Sequence, residues 1–136
     1  MDQSKSRFAL EMAVRDYECD LQGVVNNAVY QNYLEHARHE YLKGLGIDFA
    51  QMAAEGINLV VTRVEIDYKL SLTSGDRFVV EVGLERISPV RVGFLQDIYR
   101  LPDRKIVVKA LVTGTALNAK GRPQLPQSLA EILGRV

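Results

Sequence analysis

The spacing of apolar and polar positions changes along the chain, and each change marks an element. Phe8 to Arg15 reads as a first strand. From about Asn27 to Leu45 the apolar positions Tyr30, Tyr33, Leu34, Ala37, Tyr41 and Leu45 recur at helical spacing, with Asn32, Glu35, Arg38, His39 and Lys43 largely on the other side. This predicts one long helix. Asn26 or Asn27 can cap its first turn with a side-chain oxygen, and Gly44 or Gly46 can supply the left-handed residue that stops it. Phe49 to Glu55, closed by Gly56, predicts a second, short helix.

After Gly56 the period becomes two. From Leu59 to Lys69, Val64, Ile66 and Tyr68 alternate with Arg63, Glu65, Asp67 and Lys69, the pattern of a half-buried strand. SGDRFVVEVGLERI gives a strand after Ser74 and Gly75, VGFLQDIYRL gives another after a Ser88-Pro89 turn, and Lys105 to Leu117 gives a last one after a Pro102-Asp103 turn. A short final helix is predicted to begin near Ser128. A strand, a long helix and four strands joined by short turns call for an α+β fold, a mostly antiparallel five-stranded sheet packed against one helix.

With 136 residues, the chain has the size of one domain with a single core, and residues 1–136 are expected to form it. Seventeen basic residues balance seventeen acidic ones, so no net field favours a nucleic acid or an anionic membrane as partner. No apolar run approaches the ~20 residues needed to span a bilayer, and the first ten residues lack the apolar core of a signal peptide. A single cysteine, Cys19, excludes an internal disulfide framework. These features together predict a cytoplasmic protein.

Much chemistry is excluded by what the chain lacks. There is no phosphate loop and no G-x-S-x-G elbow, and Gly44-Leu45-Gly46 lacks the third glycine of a dinucleotide loop. Nothing calls for a cofactor. His36 and His39 are the only histidines, and Glu35 and Glu40 lie about a hundred degrees of helix turn from the nearer of them, so no metal site is expected. Cys19 sits between two acids that would raise its pKa, which argues against a nucleophilic thiolate.

The stretch from Asp16 to Tyr30, DYECDLQGVVNNAVY, carries the remaining candidates. Asp20-Leu21-Gln22-Gly23 fits a turn with aspartate first and glycine last. The turn lies a few residues before a long helix, near backbone N–H groups without intrahelical partners and near the positive end of the helix dipole. A substrate carbonyl placed there would have its negative oxygen stabilised by those N–H groups while Asp20 activated water or attacked directly. A thioester suits such a site, because its leaving group needs no strong acid to expel it.

The run VRDYECDLQGVVNNAVYQNYLEHARHEYLKGLG resembles the opening of hotdog-fold thioesterases of the 4-hydroxybenzoyl-CoA thioesterase type, and is also similar to the small single-hotdog acyl-ACP thioesterases of plant plastids. VVTRVEIDYKLSLTSGDRF and LNAKGRPQLP resemble later parts of the same family, so the likeness covers nearly the whole chain. Its most specific element is D-x-x-G-V-V followed by a helix with Tyr30, Tyr33, Glu35, Ala37, Arg38 and Glu40. The resemblance implies a sheet wrapped around the long central helix, dimers with sheets edge to edge that pair again into tetramers, and active sites at the dimer interface. It implies acyl-CoA or acyl carrier protein thioesters as substrates. The catalytic aspartate falls on Asp20, and the helix-start amide that polarises the thioester carbonyl falls at about Asn27.

Asn26 and Asn27 depart from the family, where an aromatic and a histidine are common at these places. Glu18 stands where many relatives have aspartate and is expected to support Asp20 or hold the loop; in an extended loop it points away from Asp20 by alternation. Glu35 is the rival acid, since other hotdog branches use one from the central helix. An ion pair with Arg38 is its plainer reading. Gly23, Val24, Val25, Asn26 and Tyr30 are expected to shape the substrate site, and Arg63, with Arg86, Arg91 and Arg122 as further candidates, to meet the carrier's phosphates. A hydratase would want a histidine in the loop, and none precedes position 36. A non-catalytic acyl-binding protein is the third reading, against which the retained Asp20 argues.

Overall fold

The structure is a computed structural model that describes residues 7–135. Five strands form one antiparallel sheet: β1 (Phe8–Ala13), β2 (Asn58–Tyr68), β3 (Arg77–Ser88), β4 (Arg91–Leu101) and β5 (Lys105–Leu117), in the order β1-β3-β4-β5-β2. Between β1 and β2 run the long helix α1 (Asn27–Gly44) and the short α2 (Phe49–Ala54), and α3 (Gln127–Leu133) follows β5. This is the α+β arrangement that the pattern predicts, and the sheet packs across α1.

The strand registers show why one face is dry. Leu10 pairs with Val80, Val80 with Ile98 and Ile98 with Val108; one step along, Phe8, Val82, Gln96, Ala110 and Ile66 form the next row. Because side chains alternate across a strand, both rows point to the same face. Onto it α1 lays Tyr30, Tyr33, Leu34, Ala37, Tyr41 and Leu42, all buried. Leu34 and Ile98 are fully enclosed, and burying each contributes about 1.5–3 kcal/mol. Gln96 is the unexpected member of this face, equally enclosed and polar.

Helix α1 begins and ends where its side chains dictate. Asn26, in extended conformation, is the cap, and its Oδ1 accepts from the Ala28 N–H at 2.9 Å. At the other end Gly44 is still helical and Gly46 takes the left-handed turn at φ +99°. The N–H of Ile47 then donates back to the Leu42 carbonyl at 3.0 Å, closing the last turn.

Strand β2 differs from the half-buried strand its alternation predicts. Leu59, Val61, Val64 and Tyr68 are exposed. The reason is position: β2 pairs with β5 on one side and is the edge of the sheet on the other. Among the described residues, no helix is long and apolar enough to cross a membrane.

Candidate active site

Residues 14–26 form a loop that the fold holds in place at several points. A 3-10 turn over Asp16–Glu18, too short to leave a periodic signal, follows β1. The chain then doubles back: Cys19 bridges Val25, the Asp20 N–H donates to the Val24 carbonyl at 2.9 Å, and the Gly23 N–H donates to the Asp20 carbonyl at 3.0 Å. Gly23 sits at φ +83°, where a side chain would be strained. This tight turn raises Leu21 fully into solvent.

Val24 and Val25 tie the turn to the segment between β2 and β3. Val24 bridges Thr73, and the Val25 N–H donates to the Leu72 carbonyl at 2.9 Å. Leu72 in turn donates its N–H to the hydroxyl of Tyr30 at 3.0 Å, so Tyr30 is committed to holding this segment. Its ring stands edge-on to Tyr33 at 6.0 Å. Burial pushes the pKa of the Tyr30, Tyr33 and Tyr41 hydroxyls upward.

The acids of the loop have different environments. Glu18 is nearly enclosed, and its Oε1 accepts from the Tyr33 hydroxyl at 2.7 Å and from the Arg15 N–H at 2.8 Å. Its other oxygen faces the Arg15 guanidinium at 3.5 Å. Glu18 therefore braces the loop against the core. Asp16 accepts from the Ser74 hydroxyl, a second tie to the same segment. Asp20 is exposed; its Oδ1 accepts from the Gln22 N–H at 2.8 Å, and its Oδ2 has no partner among the described residues. That carboxylate is held at one oxygen and open at the other.

At the start of α1 the backbone donors can be accounted for one by one. The Asn26 N–H donates to the Glu18 carbonyl at 3.1 Å, Ala28 to the Asn26 side chain, and Val29 to the Asn26 carbonyl at 2.9 Å. The N–H of Asn27 has no partner among the described residues. An unpaired N–H at the positive end of an eighteen-residue helix is suited to an oxygen that carries negative charge.

One residue at this place was not legible in the alternation. Tyr68 closes β2, its ring 5.7 Å from that of Tyr30 and its hydroxyl donating to the Asn27 carbonyl at 3.4 Å. Its spacing marks it as one more inward residue of a strand, and only the edge position of β2 puts its hydroxyl at the helix start.

The remaining candidates lie apart from this loop. Arg63 pairs with Glu65 at 3.4 Å, both largely exposed, five residues along β2 from Tyr68. Arg86 donates to the Ser88 and Pro89 carbonyls, and Arg91 and Arg122 are exposed at the start of β4 and in the turn after β5. Glu35 is exposed on α1, two turns below Asn27, facing β2. His39 lies against Phe49, ring centres 5.4 Å apart.

Comparison with known proteins places this geometry in context. The model of the thioesterase-like superfamily matches residues 14–133. The chloroplastic acyl-acyl carrier protein thioesterase ATL2 of Arabidopsis thaliana is 40% identical over 126 residues, which cover 92% of this chain and 67% of that protein. Its relative ATL3 is 39% identical over 121 residues, 88% of this chain and 64% of that protein. The chain thus spans about two thirds of the length of these plant proteins. Among solved structures, the Synechocystis 1,4-dihydroxy-2-naphthoyl-CoA thioesterase superposes with a TM-score of 0.87 over 96% of this chain and 97% of that one, at 19% identity. That likeness identifies the sheet-around-helix arrangement as the hotdog fold.

Proposed function

The chain belongs to the thioesterase-like superfamily, and from that premise we propose that it hydrolyses acyl-CoA or acyl carrier protein thioesters at the loop before α1. The observation that carries this reading is the unpartnered N–H of Asn27, whose neighbours on both sides are bonded. A thioester carbonyl directed at this N–H gains most when its oxygen becomes an anion, because the donor and the helix dipole are fixed before the reaction begins.

Asp20 supplies the second half, as general base or as nucleophile. As a base, its open Oδ2 takes a proton from water, the oxygen of which attacks the carbonyl carbon. The tetrahedral oxyanion collapses, the C–S bond breaks, and the carrier leaves as a thiolate that regains a proton from solvent. As a nucleophile, Oδ2 attacks the same carbon, the C–S bond breaks and the carrier leaves as a thiolate that regains a proton from solvent, and water then hydrolyses the mixed anhydride to the free acid and the Asp20 carboxylate. Glu18 acts through the loop: a carboxylate bonded to Tyr33 and Arg15 keeps Asp20 where the turn puts it. Gly23, Val24, Val25 and Asn26 shape that turn and the helix start.

Self-association belongs to the same proposal. The open edge of β2, with Val61, Val64 and Tyr68 exposed, is suited to pairing with the same edge of a second copy, and such dimers would pair again into tetramers. A second catalytic reading assigns the acid to Glu35, because it faces the crevice between α1 and β2.

The test is a panel of acyl-CoA and acyl carrier protein thioesters with wild type, Asp20→Asn and Glu35→Gln. Loss of about 10²–10⁴ in kcat for Asp20→Asn, with the thermal midpoint unchanged, is expected. Activity that survives Asp20→Asn and falls in Glu35→Gln moves the acid to the helix; a wild type inert on every thioester leaves a protein that binds acyl groups without cleaving them.

A further inference from the structure

No residue from 15 to 24 is fully buried, so packing alone does not fix the stretch that carries Asp20. Polar ties hold it instead. One is the Glu18 brace; the others run to a single short segment between β2 and β3. Val24 bridges Thr73, the Val25 N–H donates to the Leu72 carbonyl, and Asp16 accepts from the Ser74 hydroxyl.

That segment takes its shape from its own sequence. In Thr73-Ser74-Gly75-Asp76 the aspartate folds back on the first residue, its Oδ2 accepting from the Thr73 N–H at 2.9 Å and from the Thr73 hydroxyl at 3.2 Å. The Asp76 N–H donates to the Thr73 carbonyl at 3.0 Å, and Gly75 supplies the left-handed residue at φ +86°. Buried residues anchor both sides of the turn. The Val14 N–H donates to the Asp76 carbonyl at 2.9 Å, the Gly75 N–H donates to the Val14 carbonyl at 3.1 Å, and the enclosed Leu72 donates to the Tyr30 hydroxyl. The turn is thus fixed without residues 15–24, whereas those residues are fixed through the turn. One pairing separates it from Asp20: Thr73 bridges Val24, and the Val24 carbonyl accepts from the Asp20 N–H at 2.9 Å.

We propose that the turn over residues 73–76 is the template that sets the position of the Asp20 carboxylate, with Asp76 and Ser74 as positioning residues. Asp76 acts through Thr73 and Val24, and Ser74 acts through Asp16. The inference rests on the reading of Asp20 as the acting acid. A carboxylate displaced by a fraction of an ångström still binds the same substrate but meets water or the carbonyl carbon in poorer geometry, so the loss falls on kcat and spares KM.

The test uses Ser74→Ala, Asp76→Ala and the conservative Ser74→Thr and Asp76→Asn, which keep a hydroxyl and an acceptor oxygen. Asp76→Ala is expected to lower kcat by about tenfold to a hundredfold and the exposed Ser74→Ala by about fivefold, with KM held and most of the rate restored in the conservative variants. Glu11→Ala, which breaks the exposed Arg77 ion pair beside the turn without touching the loop, is expected to leave kcat unchanged. In the Asp20→Asn background both alanine variants are expected to shift the residual rate by less than about twofold, because their effect passes through the carboxylate that is already gone. Amide hydrogen exchange at Asp20 and Val25 reads the same tie without turnover and is expected to quicken about tenfold in Asp76→Ala. Quickened exchange in a protein inert on every thioester supports the template, and the hydrolase reading alone falls. Unchanged exchange, an active enzyme whose kcat neither alanine variant lowers, or a fall of equal size in both backgrounds overturns the template and leaves the hydrolase reading intact.

Discussion

Tyr33→Phe isolates the brace that holds the proposed catalytic loop. The substitution removes a hydroxyl that donates to the Glu18 carboxylate at 2.7 Å and leaves the ring in place against Phe78, 4.6 Å between centres, and against Tyr30. Both ends of the bond are largely withdrawn from water, with Tyr33 at 1% exposure. A hydrogen bond to a charged partner in such a place contributes about 1.5–3 kcal/mol, and the remaining contacts of Glu18 with Arg15 keep the loss toward the lower end, about 2 kcal/mol. For a chain of this length that lowers the thermal midpoint by roughly 6–8 °C. Urea unfolding of wild type, Tyr33→Phe, Glu18→Gln and the double variant closes a cycle, and a coupling of about 1 kcal/mol or more is expected. Because the brace acts through the loop, kcat falls several-fold in Tyr33→Phe while KM holds, far less than in Asp20→Asn. Additive single effects, with coupling within about 0.3 kcal/mol, would show that the bond does not hold the loop in solution.

Alkaline pH provides a second measurement. The Tyr30, Tyr33 and Tyr41 hydroxyls are held above their usual value of 10.0 chiefly by burial. Below pH 10 the bonded protons are equal in both states and stability is flat; above it the unfolded chain releases protons that the folded chain keeps, so stability falls with rising pH, by up to about 4 kcal/mol per unit if all three take part. A stability that holds level from pH 9 to 11.5 contradicts the burial of these hydroxyls. Gln96→Leu deprives the half-buried Arg38 of its acceptor and is expected to cost about 1–3 kcal/mol in denaturant unfolding, much of it regained in Gln96→Leu with Arg38→Met; no recovery in the pair would refute the coupling. Val64→Lys puts charge on the open edge of β2, and a shift toward monomer in sedimentation velocity is expected; an unchanged distribution would place self-association elsewhere.

The parts of this structure that were legible in the sequence are those that local spacing controls. Helix α1 and its cap follow from a 3.6-residue period that begins beside two asparagines, and the alternating strands follow from a period of two. What spacing could not supply is which side of an element meets a neighbour. Strand β2 carries the pattern of a half-buried strand, yet its place at the sheet edge is a matter of topology, and that placement exposes Val64 and Tyr68. Glu18 looks like a companion acid to Asp20 because it is two residues away; its partner proves to be Tyr33, fifteen residues further on and reached only when α1 packs beside the loop. Gln96 reads as one polar residue in VGFLQDIYRL, and its pairing with Arg38 spans 58 residues. The free N–H of Asn27 is legible in principle, since a helix start leaves donors unpaired, but which donor stays open depends on how the Asn26 side chain and the Glu18 carbonyl are used.

Whether this N–H receives the thioester oxygen is tested directly by Asn27→Pro. Proline removes the N–H and nothing else that the helix needs, because it is favoured at the first helical position. The preceding Asn26, at φ −62° and ψ 137°, already has the conformation that a following proline requires. A loss of about 10²–10³ in kcat is expected for Asn27→Pro with an unchanged thermal midpoint, beside near wild-type rates for Asn27→Ala, which keeps the N–H. Full activity in a folded Asn27→Pro protein would contradict it.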